Sequence, residues 1–131
     1  MTNGCFDILH PGHIDYLKKA KLMGDILIVA LNSNNSIKKL KGSKRPINDL
    51  NFREKMLEAY NFIDYIISFD DKTPKELIKQ IMPDILVKGG DYLVEEIAGS
   101  EDVLKSGGEV KTIPLLKGFS STSIIDKIKD L

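Results

Sequence analysis

The sequence predicts an α/β fold in which a doubly wound parallel sheet forms a single domain spanning residues 1–131. Short, almost purely apolar runs recur along the chain, and such runs are typical of strands buried on both faces of a parallel sheet. Segments with apolar residues at helical spacing separate these runs. Strands that alternate with helices through right-handed crossovers give a sheet covered on both faces.

The strands are predicted to be short. In chain order they are Met1–Asn3, 25–32, 65–69, 84–87 and 110–113. A strand in such a sheet usually has about five or six residues, so the first one is shorter than expected. We therefore expect a first strand truncated at its N-terminus, with a very short strand as the alternative. Truncation would make the chain a fragment of a longer protein, such as a bifunctional one. The complete sheet would be Rossmann-like.

Helices are predicted between the strands, at 11–23, 51–61, from Thr73 onward, at 101–105 and at 121–129. Pro11 suits a first helical turn, Gly24 is the expected C-cap of that helix, and Thr73 is the expected N-cap of the third. The side chains expected to face the core are Met56, Leu57, Tyr60, Ile124, Ile125 and Ile128. The basic stretch 38–46 is predicted to be a mobile loop.

Composition excludes several function classes. The 19 basic and 19 acidic side chains cancel, so no overall charge favours nucleic acid or a membrane surface. The single cysteine cannot form an internal disulfide, as expected for a cytoplasmic protein. No apolar run reaches the roughly 20 residues of a membrane span.

Three loops that follow predicted strands should meet at one edge of the sheet, where doubly wound folds bind their ligands. They are residues 2–13, 88–92 and 117–122. His10 and His13 open the first helix, whose free N–H groups and positive dipole end favour phosphate. Gly12 would let a nucleotide approach the backbone, and Phe6 would anchor the loop in the core. Helix capping or incidental metal binding is the alternative role for the two histidines.

The segment GCFDILHPGH, residues 4–13, resembles the GxFDxxHxGH signature of the cytidylyltransferase-like nucleotidyltransferases. The resemblance implies that His10 and His13 stabilise charge on the α-phosphate, with Lys41 as a third catalytic residue. It also implies that the loop contacts nucleotide through Cys5, Phe6, Asp7 and Gly12. For Cys5, a small buried apolar role is the alternative.

Residues 118–125 resemble the family's second signature, a Ser/Thr-rich turn before the last helix. The resemblance implies that Ser120, Ser121 and Thr122 hold the β- and γ-phosphates, while plain N-capping is the alternative. Several members carry basic residues near this turn, where the chain has Leu115 and Ile125. The basic groups would then come from elsewhere.

The remaining loops and the same resemblance point to further site residues. Lys88, Gly89 and Asp91 are expected to bind nucleotide, with a glycine turn and a surface ion pair as the alternative. Lys44, Arg45 and Arg53 are expected to bind substrate phosphate. The alternative is a solvated charge run for Lys44 and Arg45, and a role in helix packing for Arg53. No metal ligand is predicted among the side chains, because Mg²⁺ would be held mainly by phosphates.

The strings LKGSKRPIN, PDILVKGGDY and GGEVKTIPLLKGFSST resemble, in order and spacing, the family members that make ADP-heptose. This implies transfer of AMP from ATP to D-glycero-β-D-manno-heptose 1-phosphate with Mg²⁺, in a homodimer, fused to or paired with a sugar kinase domain. Two alternatives stay open. One is a CTP-dependent cytidylyltransferase acting on glycerol 3-phosphate or a similar polyol phosphate. The other is a nucleotide-binding domain without catalysis.

Overall fold

A computed structural model describes residues 1–131, in which helices separate all of the strands along the chain. The strands are β1 (Thr2–Gly4), β2 (Ile28–Asn32), β3 (Tyr65–Phe69), β4 (Ile85–Gly89) and β5 (Glu109–Ile113). The helices are α1 (Pro11–Leu22), α2 (Asn34–Lys41), α3 (Leu50–Glu58), α4 (Lys75–Ile81), α5 (Ser100–Lys105) and α6 (Ser121–Lys129). A 3₁₀ turn lies at Val94–Glu96.

The strands form one parallel layer with the order β3-β2-β1-β4-β5. Hydrogen-bonded pairing joins β1, β2 and β3 in one group and β4 with β5 in another. Met1 connects the two groups, because its amino group donates to the Ile85 carbonyl at 2.9 Å and its carbonyl accepts from Val87 N at 2.9 Å. The strand order therefore reverses between β1 and β4. The predicted doubly wound sheet is confirmed, and this reversal places a ligand crevice after β1 and β4.

The core lies on both faces of the central strands. Successive residues of β2 point to opposite faces, so Val29 and Leu31 pack with Leu17 of α1 while Ala30 packs with Ile78 of α4. No helix combines the length and apolar character needed to cross a membrane.

Two predicted features of the sheet and its connections are wrong. Strand β3 is an edge strand rather than a buried one, since Tyr65 is 63% exposed. The stretch 38–46 is not wholly a loop, because α2 extends to Lys41. Ser33 is the N-cap of this helix, and its Oγ accepts a hydrogen bond from Ser36 N at 3.1 Å. Ile37 is the one large apolar side chain that the helix buries. One apolar anchor is too little periodicity to reveal a helix in sequence.

Some predicted helix details also differ. The N-cap of α4 is Pro74, which makes no side-chain capping bond, and the C-cap of α1 is Met23 instead of Gly24. Met56 is 45% exposed and Ile128 is 60% exposed, so neither belongs to the core. Short amphipathic helices at the edge of a small domain bury only part of their apolar face.

Candidate active site

The loop after β1 is shaped by a close contact between Gly4 and Phe6. Phe6 takes a left-handed conformation with φ 48°, and its ring lies so near that a Cβ on Gly4 would be 2.8 Å from it. The Phe6 ring is buried and lies 5.2 Å from the His13 ring, centroid to centroid. Gly4 therefore serves to seat Phe6, and Phe6 in turn supports His13.

His10 and His13 form a reciprocal cap at the start of α1. His10 Nδ1 accepts from Gly12 N at 3.1 Å, and His13 Nδ1 accepts from His10 N at 3.3 Å. A neutral imidazole that accepts at Nδ1 carries its proton on Nε2. The cap therefore sets both rings in the tautomer whose Nε2–H can donate to a ligand.

The backbone at this helix start has little left to offer an anion. Pro11 has no N–H, Gly12 N is bonded to His10, and His13 N donates to the His10 carbonyl at 3.0 Å. The prediction of free backbone N–H groups here is wrong. Capping and ligand binding are not alternatives for these histidines, because the cap uses Nδ1 and leaves Nε2 for the ligand.

Both histidines are neutral near pH 7. Burial, together with the smaller electrostatic effects of His10 and Lys41, lowers the pKa of His13 to about 4. Burial also lowers the pKa of His10. Each ring is consequently a neutral hydrogen-bond donor rather than a cation.

The start of α6 is bonded to the loop between β1 and α1, which we call the histidine loop because it carries His10. Ser120 Oγ accepts from Ser123 N at 3.0 Å, and Ser121 Oγ donates to the Ile8 carbonyl at 2.9 Å. These two predicted phosphate ligands thus have structural bonds already. The unpaired N–H groups of the first turn of α6 and the exposed hydroxyl of Thr122 are the groups best able to bind phosphate here.

Two clefts meet at His13. The first, which we call the α6 cleft, has a volume of about 250 Å³. Its lining consists of His10, Gly12, His13, Tyr16, Lys41, Leu115, Leu116, Phe119, Ser120, Ser121 and Thr122. The second, the β1–β4 cleft, has a volume of about 590 Å³ and runs past Cys5, Phe6, Asp7 and Lys88. His13, Lys41 and Ser121 line both clefts.

Lys88 and Gly89 lie at the carboxyl end of β4, as predicted. Lys88 is half-buried, its Nζ lies 5.8 Å from the centroid of the Tyr92 ring, and burial lowers its pKa. Gly89 borders a smaller recess of about 160 Å³ beside Gly4 and Cys5. Asp91 is exposed and lies outside all of these cavities.

Asp7 has a structural role that its sequence position did not reveal. It is 4% exposed, and its carboxylate accepts from Arg45 Nε at 3.2 Å and from the backbone N–H groups of Ile47 and Asn48 at 2.8 Å each. Arg45 Nη2 is buried without a partner. Asp7 therefore fixes the segment after α2 against the histidine loop.

Arg53 is likewise committed to the fold, which favours its alternative packing role over the expected role in binding substrate phosphate. Its side chain is 1% exposed. The guanidinium donates to the carbonyls of Cys5, Asn32 and Asn48 and to Asn34 Oδ1, over 2.7–3.0 Å. It holds together the ends of β1 and β2 beneath the cleft. Lys44 is exposed and lies outside both clefts, as does Arg45.

The residues that line the clefts and that sequence reasoning missed include Tyr16, Lys72 and Glu96. The Tyr16 hydroxyl donates to the Val87 carbonyl at 3.1 Å and is bonded to Thr2 Oγ1, and burial raises its pKa to about 12. It bridges β1 and β4 where the strand order reverses. The spacing of Tyr16, one helical turn beyond His13, was the only available signal.

The structure contains no group of three or more His, Cys, Asp or Glu side chains placed to hold a metal ion. The Asp7 carboxylate, the acidic group of the histidine loop, already accepts three hydrogen bonds.

The comparisons with known proteins agree with this geometry. A model of the family described as cytidylyltransferase-like matches residues 1–127. The chain is 58% identical over 126 residues to the bifunctional protein HldE of Marinomonas sp. (strain MWYL1), covering 96% of this chain and 26% of that one. It is 55% identical over 131 residues to the bifunctional protein HldE of Histophilus somni (strain 129Pt), covering 100% of this chain and 28% of that one.

Among solved structures, the lipopolysaccharide core biosynthesis protein from Thermoplasma volcanium GSS1 superimposes with a TM-score of 0.71. The two chains are 30% identical, and the match covers 91% of this chain and 96% of the other. The chain belongs to the cytidylyltransferase-like family of nucleotidyltransferases. It spans about a quarter of the length of the HldE proteins that it matches.

Proposed function

We propose that the chain transfers the adenylyl group of ATP to D-glycero-β-D-manno-heptose 1-phosphate, forming ADP-heptose and pyrophosphate. The observation that carries the proposal is that His13 lies where the α6 cleft and the β1–β4 cleft meet. A reaction that joins two phosphorylated substrates needs two adjoining pockets with donors at the junction. Lys41 and Ser121 share that junction with His13.

The α6 cleft suits the nucleotide. Leu115, Leu116 and Phe119 are each 41–59% exposed, so they leave an apolar surface free for a planar base. At the other end of the cleft, the start of α6 provides the N–H groups that bind β- and γ-phosphate oxygens. The triphosphate would enter as its magnesium complex.

The reaction is an in-line displacement at the α-phosphorus. A phosphate oxygen of the sugar phosphate forms the new bond to phosphorus, and the bond to the bridging α–β oxygen breaks, so that pyrophosphate leaves with the electron pair. His10 and His13 donate Nε2–H to the non-bridging oxygens as their charge develops. Lys41 adds a positive charge on the same side. No side chain becomes covalently modified.

The heptose phosphate as acceptor is supported by the resemblance of residues 40–48, 83–92 and 107–122 to enzymes that make ADP-heptose. It is also supported by the similarity to a lipopolysaccharide core biosynthesis protein. A sugar kinase that supplies the 1-phosphate, a homodimeric state and a cytoplasmic location accompany the proposal and stay predictions.

A pyrophosphate-release screen tests the substrates. Four nucleoside triphosphates are each paired with heptose 1-phosphate and with glycerol 3-phosphate. We expect ATP with heptose 1-phosphate to be fastest. Faster release from CTP with glycerol 3-phosphate would support the cytidylyltransferase alternative. Tight nucleotide binding without any pyrophosphate would support the non-catalytic one.

The role of the junction is tested by His13→Ala, which removes one donor to the developing charge. We expect kcat to fall by about 10²–10³-fold, the usual effect of losing such a donor. Lys19→Ala is the matched control, because Lys19 lies on the same helix in an exposed ion pair with Asp15. A His13→Ala protein that folds normally and keeps near-normal turnover would rule out the mechanism.

A further inference from the structure

The β1–β4 cleft carries more free positive charge than the overall composition suggests. Lys41, Lys72 and Lys88 line it, and none of them takes part in any of the five salt bridges of the structure. Of the two carboxylates in the lining, Asp7 is occupied by three donors, which leaves Glu96. Three free ammonium groups beside one free carboxylate favour a ligand with two negative charges, such as a phosphomonoester.

The loop that carries Lys72 is firmly held. Ser33 Oγ donates to Asp70 Oδ1 at 2.5 Å, and Ser36 Oγ donates to the Asp71 carbonyl at 2.6 Å. Asn32, at the end of β2, donates in turn to Ser36 Oγ at 3.0 Å. The backbone next to Lys72 is therefore fixed to the start of α2, which keeps this lysine at the cleft wall.

Lys88 lines the same cleft from the other side of the strand-order reversal. It extends from β4, and the Tyr92 ring lies near its ammonium group. A half-buried ammonium without a carboxylate partner is an electrostatic cost in the free protein. A bound phosphate would remove that cost.

Neither Lys72 nor Lys88 lines the α6 cleft, whereas Lys41 lines both clefts. We propose that Lys72 and Lys88 bind the phosphate of the acceptor in the β1–β4 cleft, and that Lys41 at the junction serves both substrates. The proposal rests on the function proposed above and changes the expected role of Lys88 from nucleotide to acceptor binding. Glu96 is placed to accept hydrogen bonds from hydroxyl groups of the acceptor's sugar.

The test separates the two substrates. Lys72→Met and Lys88→Met keep much of the side-chain volume and remove the charge. Calorimetry without acceptor measures ATP binding, and pyrophosphate release at saturating ATP measures the acceptor KM. We expect ATP affinity to stay within about twofold of wild type and the acceptor KM to rise about tenfold or more in each variant. Lys75→Met is the matched control, since Lys75 is an exposed lysine on α4 outside the cleft.

The opposite pattern, weaker ATP binding with an unchanged acceptor KM, overturns the proposal. The proposal is also overturned if wild type turns over the acceptor and both variants have an unchanged acceptor KM. In that case the proposed function still stands.

A wild-type protein that turns over no acceptor refutes the proposed function, and inorganic phosphate then tests the subsite separately. Titration followed by amide NMR should shift Cys5, Thr73 and Gly89 in wild type and not in Lys88→Met. Phosphate that shifts neither protein, or both equally, overturns the subsite.

Discussion

The rings of His10 and His13 stack with their centroids 3.7 Å apart and their planes inclined by 24°. The backbone N–H of His10 is bonded to one ring and the N–H of Gly12 to the other, so each imidazole is oriented before any ligand binds. The two donors that we propose for the reacting phosphate are consequently preorganised by the fold. Changes that disturb this cap should reduce catalysis even when they lie outside the clefts.

Gly12→Ala tests the cap without removing a histidine. A Cβ at this position would lie 2.9 Å from Cε1 of His10, so the ring must move. We expect kcat to fall about tenfold or more while the protein stays folded, because a misplaced donor loses most of its effect on the transition state. Gly24→Ala is the control, since a Cβ there meets nothing within 4 Å. Equal kcat values for the two variants would contradict this account.

The depressed histidine pKa values predict how stability varies with pH. His13 titrates near pH 6.5 when unfolded and at about 4 when folded, so between these values the unfolded state binds more protons. The free energy of unfolding should therefore be highest above pH 6.5 and should decline as the pH falls toward 4. Urea unfolding at several pH values measures the slope. In His13→Gln the slope should be smaller, and an identical slope would contradict the assignment.

Arg53→Met should destabilise the fold rather than alter substrate binding alone. It leaves four oxygens, on Cys5, Asn32, Asn34 and Asn48, without their donor. Each unsatisfied buried group costs about 1–3 kcal/mol, so we expect a loss of about 3 kcal/mol or more in urea unfolding. Lys55→Met on the exposed side of α3 should change stability little. Unchanged stability with a raised acceptor KM would restore the phosphate-binding role.

Asp7→Asn should loosen the segment after α2. The amide group presents one acceptor oxygen in place of the two carboxylate oxygens that bind Arg45, Ile47 and Asn48. We expect amide hydrogen exchange at Ile47 and Asn48 to speed up by about tenfold or more, with little change at the core strand β2. Exchange rates that stay the same at both amides would show that the carboxylate does not hold the segment.

Much of the fold could be predicted because its signals are local. The apolar run 65–69 and the helix 121–129 have the bounds expected from sequence. Helix α2 could not be predicted because Ile37 is its one large buried apolar side chain. The exposure of Tyr65 could not be predicted because the order of the strands decides which strand lies at an edge. Apolar content alone does not distinguish an edge strand from a central one.

For the site, the sequence by itself determined the family and the pair His10 and His13, because the histidine signature is a contiguous run whose geometry follows from the turn between β1 and α1. Only the tertiary structure decided which atoms of that pair can bind a ligand. The cap occupies the backbone N–H groups and both Nδ1 atoms, so the Nε2 atoms are left to donate. The tertiary structure also showed that Arg53 and Asp7 support the fold, and it placed Lys72 and Lys88 in the lining of one cleft. Their partners are distant in sequence, and hydrogen bonds and charges of that kind are set by packing rather than by local pattern.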